Sequence, residues 1–153
     1  MRILKTISLI PISFLLFGCS PEASANDRLG LKCSGEVRLS TGSEASPSEE
    51  HYTIDRTEGK LILRDAYTGE PITIYKLTIS PRQYRGERQE EGRTNGGFPV
   101  HHYETVYISR EDGSMTSTSL STTSFPNGPS TTEIGFVGQC EPESPDQTKA
   151  LKL

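Results

Sequence analysis

The sequence predicts an all-β fold: an antiparallel up-and-down meander of about eight strands forming a closed or partly open barrel, with a two-sheet β-sandwich as the alternative. Three observations carry that prediction. Apolar residues between Gly30 and Cys140 alternate at period two, in short segments separated by turn residues. No stretch in that span repeats them at helical spacing. Cys33 and Cys140 lie in the first and last of these segments, each on its apolar face.

The segments follow in order. Cys33, Gly35, Val37 and Leu39 share one face of a first strand. Tyr52 with Ile54, then Leu61 with Leu63, mark a second and a third strand around the turn Thr57-Glu58-Gly59. Ile72 and Ile74 fall on one face of a fourth strand and Leu77 and Ile79 on the other, so a bulge near Tyr75 or Lys76 is expected to turn both sets inward. Tyr84 carries a short fifth strand. Val106 and Ile108, with Tyr103 and Tyr107 opposite, mark a sixth, which turns at Asp112-Gly113 into a Ser/Thr-rich seventh holding Met115 and Leu120. Ile134, Phe136, Gly138 and Cys140 make the last. In an even-stranded meander the first and last strands run antiparallel, which brings Cys33 and Cys140 to the same rim.

Two of the hairpins echo each other. Residues Ile54 to Leu61 and Ile108 to Met115 both read I-x-R-x-acid-G-x-aliphatic. Tight hairpins require Gly where φ is positive, so turn geometry accounts for the echo and leaves Arg56 and Arg110 as surface residues flanking turns.

Residues 1–18 stand outside this body. Arg2 and Lys5 precede a mostly apolar run from Ile7 to Phe17, the layout of a signal peptide. The run is too short to cross a bilayer core, which needs about 20 helical residues. Leu16-Phe17-Gly18-Cys19 then resembles the lipobox of bacterial lipoproteins. That resemblance implies a diacylglyceryl thioether on Cys19 and a palmitate-type acyl chain on the new amino terminus, and two or more chains anchor far more firmly than one. Ser20, not Asp, implies sorting to the outer membrane in a Gram-negative cell. The alternative is cleavage after Ala23-Ser24-Ala25, giving a soluble periplasmic or secreted protein. The expected organisation is a signal peptide (1–18), a lipidated tether (19–29), a β-barrel domain (30–140) and a flexible tail (141–153).

Export puts the two remaining cysteines in an oxidising compartment, so Cys33 and Cys140 are expected to form one disulfide. Neither has a second ligand at short metal-site spacing.

Removing residues 1–18 leaves 14 basic against 20 acidic side chains, a net charge near −6. That balance argues against a nucleic-acid partner and against charge-driven binding to acidic headgroups. Candidate chemistry is sparse. His101-His102-Tyr103-Glu104 is the best cluster, with His51 as a further member, yet on a strand only His102 and Glu104 share a face. A stable zinc site wants three or four ligands, so no metal or other cofactor is expected. Glu49-Glu50 and Glu90-Glu91 read as solvated loop charge, and no G-x-S-x-G elbow is present. Catalytic residues are therefore not expected, and the chain does not read as an enzyme. Three long polar segments, Ser40 to Glu50, Glu87 to Gly97 and Ser121 to Glu133, read as loops suited to recognition, with Phe125 as an exposed contact.

The body also resembles the small exported bacterial proteins that begin with a C-x-G strand, carry I-x-R-x-x-G hairpins and end in a G-x-C strand. Here these are Cys33-Ser34-Gly35, the two echoing hairpins and Gly138-Gln139-Cys140. The resemblance implies a calycin-like barrel and no assigned activity. The S-G-x-x-Y signature of periplasmic lysozyme inhibitors fails, since Ser34-Gly35 is followed by Glu36-Val37-Arg38. Two functions stay open: a lipid-anchored envelope module that binds a protein or glycan partner, and a carrier of a small apolar ligand in the barrel interior.

Overall fold

The structure, a computed structural model, describes residues 27–40, 42 and 44–144. The expected signal peptide, Cys19 and the residues beyond 144 lie outside the described residues. Eight strands follow one another: β1 (Arg28–Leu39), β2 (Ser46–Asp55), β3 (Lys60–Arg64), β4 (Pro71–Ile79), β5 (Gln83–Arg93), β6 (Pro99–Ser109), β7 (Ser114–Phe125) and β8 (Gly128–Glu143). Each pairs antiparallel with the next, and β8 pairs antiparallel with β1, so the sheet closes into a barrel rather than a sandwich. The β2–β3, β4–β5 and β6–β7 turns share one end, called the lower end, with the start of β1 and the end of β8. The other four turns form the upper end.

The seam between β1 and β8 sets Cys33 opposite Cys140, Gly35 opposite Gly138 and Val37 opposite Phe136. A disulfide joins Cys33 to Cys140, whose Cα atoms are 3.9 Å apart. The two glycines there answer to crowding. A Cβ on Gly138 would come within 2.6 Å of the Ser34 carbonyl oxygen and 2.7 Å of the Phe136 ring, and one on Gly35 within 2.2 Å of the Val137 carbonyl oxygen. The Phe136 ring therefore occupies the space the glycines leave. Gly138→Ala is expected to cost about 1–3 kcal/mol in a chemical-denaturation measurement, because the obstacle on one side is rigid backbone; an unchanged midpoint would mean that the seam has slack.

Below the seam glycines the interior is apolar. Ile54, Leu61, Ile108, Met115 and Val106 are fully buried, joined by Leu31, Leu77, Tyr84 and the cystine. The tight hairpins beneath them form where expected, with Gly59 at φ +63° and Gly113 at φ +73°.

Their arginines are exposed and flank the turns, as expected, and they also reach a common aromatic ring. Arg56 and Arg110 converge on Tyr84, with guanidinium carbons 5.9 Å and 5.2 Å from the ring centroid. Arg56 Nη2 also donates to the Tyr84 hydroxyl at 2.8 Å. The echoing hairpins thus reach the same aromatic ring from different strands at the lower end. Asp55 fixes the first of them. Its Oδ1 accepts from the Glu58 amide at 2.9 Å and its Oδ2 from Arg28 Nε at 2.8 Å, while the residue is only 2% exposed.

The Glu58 amide, against the opposing effect of burial, and then Arg28 hold the Asp55 carboxyl below its usual range. A carboxyl depressed in the fold stabilises it above the unfolded value and loses that contribution as pH falls through the folded value. Asp55→Ala is expected to destabilise by about 1–3 kcal/mol at neutral pH, with the difference from wild type shrinking below the ordinary carboxylate range, as read from melting curves across pH. A difference that persists unchanged into strong acid would show that the carboxylate charge contributes nothing.

Strand β4 departs from expectation. Its register shift lies opposite Leu63 and Arg64, leaving Ile72 unpaired, and not near Tyr75 or Lys76. Tyr75 and Leu77 point inward, whereas Ile72 and Ile74 remain outward and half exposed. The aromatic ring of Tyr75 fills more of the interior than an isoleucine would, which gives the tyrosine register the larger buried surface.

The polar segments expected as loops are largely strand. β5 runs on to Arg93, and the Ser/Thr-rich stretch after Ser121 forms the ends of β7 and β8 joined through Pro126 and Asn127. Both faces of this extension meet solvent, so no apolar alternation reveals it. Phe125 packs at its tip against Phe98, with ring centroids 5.1 Å apart. Arg28 and Leu29, expected in the tether, belong to β1.

Candidate functional site

Strand parity continues upward from the apolar core and carries polar residues into the barrel. On β2, the inward Ile54 and Tyr52 bring Glu50 inward two residues further on. On β6, Ile108 and Val106 bring in Glu104 and His102; on β7, Met115 brings in Ser117 and Ser119; on β5, Tyr84 and Gly86 bring in Arg88. The upper half of the interior is consequently a polar cup above an apolar floor.

A cavity of about 150 Å³ lies in this cup. Glu50, Tyr52, Tyr75, Glu104, Ser117 and Ser119 give its lining polar groups, and Val37, Leu63, Val106, Ile134 and Phe136, interleaved with them around the barrel, give it apolar surface. The Tyr52 hydroxyl donates to Glu50 Oε2 at 2.7 Å. Glu104 has closer charge partners: His102 Nε2 lies 2.8 Å from its Oε1, and Arg88 Nη1 donates to its Oε2 at 3.3 Å. Arg88 is shared with Glu90.

The two carboxylates are tuned in opposite directions. Burial pushes the Glu50 carboxyl up; the Tyr52 hydrogen bond opposes that, and the negative charge of Glu104 adds to it. Burial acts the same way on Glu104, but His102 and Arg88 together outweigh it and hold that carboxyl low. Burial and then the Glu50 carboxylate push the Tyr52 hydroxyl up, and burial followed by Glu104 does the same to Tyr75. Both phenols are therefore neutral donors at ordinary pH.

No family model, curated protein or solved structure matches the chain.

Of the residues singled out from the sequence, His102 and Glu104 do meet on one face. His101 points outward, 3.5 Å from Glu91. His51 lies on the outer face between Glu49 and Glu143, at 3.0 Å and 2.8 Å, and does not join the other histidines. Among the described residues no group of three or more His, Cys, Asp or Glu is arranged to hold a metal ion. Cys33 lies beside Glu50 across the β1–β2 ladder, bonded to Cys140.

Glu49 and Glu50 are not solvated loop neighbours. They sit on β2 with opposite orientations, Glu49 ion-paired to Lys32 outside at 2.8 Å and Glu50 inside the cup. Glu50 was set aside from the sequence as solvated charge, and Tyr52, Tyr75, Arg88 and the β7 serines were not among the site candidates, although the alternation E-x-Y-x-I at 50–54 and E-x-V-x-I at 104–108 contains the signal. A second concavity of about 460 Å³ opens at the lower end, where Leu29, Leu31, Tyr84, Ile108 and Pro142 meet Arg110 and Asp112. Chemically, the cup offers charge, hydroxyl donors and apolar surface in a small volume, which suits binding.

Proposed function

We propose that the chain is a bacterial lipoprotein with a calycin-like barrel, anchored through Cys19 to the envelope membrane, and that the barrel is a binding module whose upper cup takes a small ligand. The observation that carries the binding part of this reading is the cup itself: a cavity lined by both polar and apolar side chains, above an apolar core. The anchoring part rests on the resemblance of Leu16 to Cys19 to a lipobox.

The two parts fit together. β1 enters the barrel at the lower end, and the eight residues from Ser20 to Asp27 reach at most about 28 Å when extended. The lower end then stays near the bilayer and the cup opens away from it, toward a soluble solute, a glycan or a neighbouring envelope protein. The alternative, a carrier of a small apolar ligand, draws on the lower groove with its leucines and Tyr84, since the lower interior is occupied by side chains.

The test is intact mass of protein taken from native-host membranes, followed by a ligand screen read from cup resonances. A mass beginning at Cys19 with acyl chains, dropping into a form two hydrogens heavier on reduction, is expected. A lipid-free mass beginning at Asn26 would overturn the anchor. Cup resonances at Tyr52 and Ser117 that no amine, polyol or glycan fragment perturbs would overturn the binding module.

A further inference from the structure

The cup carries an imbalance that narrows what it can hold. Two carboxylates, Glu50 and Glu104, line the cavity, and no lysine, arginine or histidine does. Glu104 is compensated from outside the lining by His102 and Arg88. Glu50 is not. Its one side-chain partner is the neutral Tyr52 hydroxyl, and among the described residues no cation forms an ion pair with it. A half-buried carboxylate facing a cavity without a counter-charge is costly unless something brings that charge in.

Building on the reading of the cup as a binding site, we propose that its ligand is a small alkylammonium ion, with the ammonium on Glu50 and the alkyl group against Val37, Leu63 and Phe136. Each part of the lining then has a partner. The free oxygen of Glu50 accepts an ammonium hydrogen bond of the charge-assisted kind. Tyr52 and Tyr75, also in the lining, add aromatic surface beside the same cation. The apolar part of the lining, Val37, Leu63 and Phe136 on β1, β3 and β8 beside the strand that carries Glu50, is aliphatic and aromatic and matches hydrocarbon. Anions meet two carboxylates and are repelled. A neutral polyol leaves Glu50 uncompensated and wastes the apolar surface. A divalent metal would find two carboxylates and, among the described residues, no third His, Cys, Asp or Glu arranged with them. The volume sets the size: a cavity of this order holds about six carbon-sized atoms, the equivalent of benzene, so the ligand is a short-chain amine and not a lipid.

The experiment uses the full mature chain in detergent, titrated with n-butylammonium, with neutral n-butanol and with butyrate, and read from the NMR resonances of Tyr52, Ser117 and Phe136. Saturable shifts with butylammonium, at least tenfold weaker binding of butanol and none of butyrate are expected. Glu50→Gln is expected to bring butylammonium to the level of butanol without lowering the melting temperature, since removing an uncompensated charge does not weaken the fold. Equal affinity for the amine and the alcohol, or an unchanged amine affinity in Glu50→Gln, would overturn the charge assignment while leaving the cup a binding site. If butylammonium, butanol and neutral glycan fragments all leave the cup resonances untouched, the binding reading itself fails.

Discussion

Cys33→Ser is expected to lower the stability of the barrel by about 4–5 kcal/mol, Cys140→Ser by the same amount, and the double variant by no more than either. The two sulfurs form one bond, so removing either removes all of it. The magnitude follows from the 107-residue separation of the pair, which the chain-entropy account values at about 4.7 kcal/mol, against a total of about 5–15 kcal/mol for a domain. Such a share brings the reduced protein close to its folding threshold. Denaturant melts with and without reductant check this: wild type with reductant should coincide with the double variant. Unequal single variants would mean that one cysteine contributes packing beyond the bond, and an effect below about 1 kcal/mol would mean that the unfolded chain is already constrained near the seam.

Phe136→Ala is expected to cost about 3–5 kcal/mol, the range for removing a buried aromatic ring. Phe136 is 2% exposed, lies over the paired glycines and borders the cup. Because neither Gly35 nor Gly138 has a side chain that can swing into the vacated space, relaxation is limited and the cavity term stays large. The loss is checked by chemical denaturation, and the enlarged cup by tighter binding of a bulkier amine such as cyclohexylammonium. A cost under about 1.5 kcal/mol would show that the seam collapses onto the gap.

How much of this was legible in the sequence depends on whether a residue's surroundings leave a trace in its neighbours. Strand order, the turns at Gly59 and Gly113 and the joining of Cys33 to Cys140 were legible because alternation, positive-φ glycines and cysteine position are local or pairwise signals. β4 was misread because parity alone does not rank Tyr75 against Ile74, and the choice rests on what the ring meets across the barrel. The ends of β5, β7 and β8 were misread as loops because a strand with both faces in water carries no apolar period. Arg56 and Arg110 were visible as an echo, but their meeting at Tyr84 depends on closure. The cup hid for a related reason. Glu50 reads as half of a charged pair until the parity of Tyr52 and Ile54 is extended by one more step, and only the closed barrel brings it into one cavity with Glu104.

The seam has a further consequence for the order in which the chain completes itself. The first strand finds one of its two neighbours only among the last to be made, across the 107 residues between Cys33 and Cys140. Until β8 arrives, a growing chain holds an open, curled sheet with β1 bare on one side and β7 on the other. A chain cut short anywhere before Ile134 cannot finish the cylinder, and it would expose two templates for pairing with its neighbours. The cystine forms only when both outermost strands are in register, so it marks a chain that has been delivered whole.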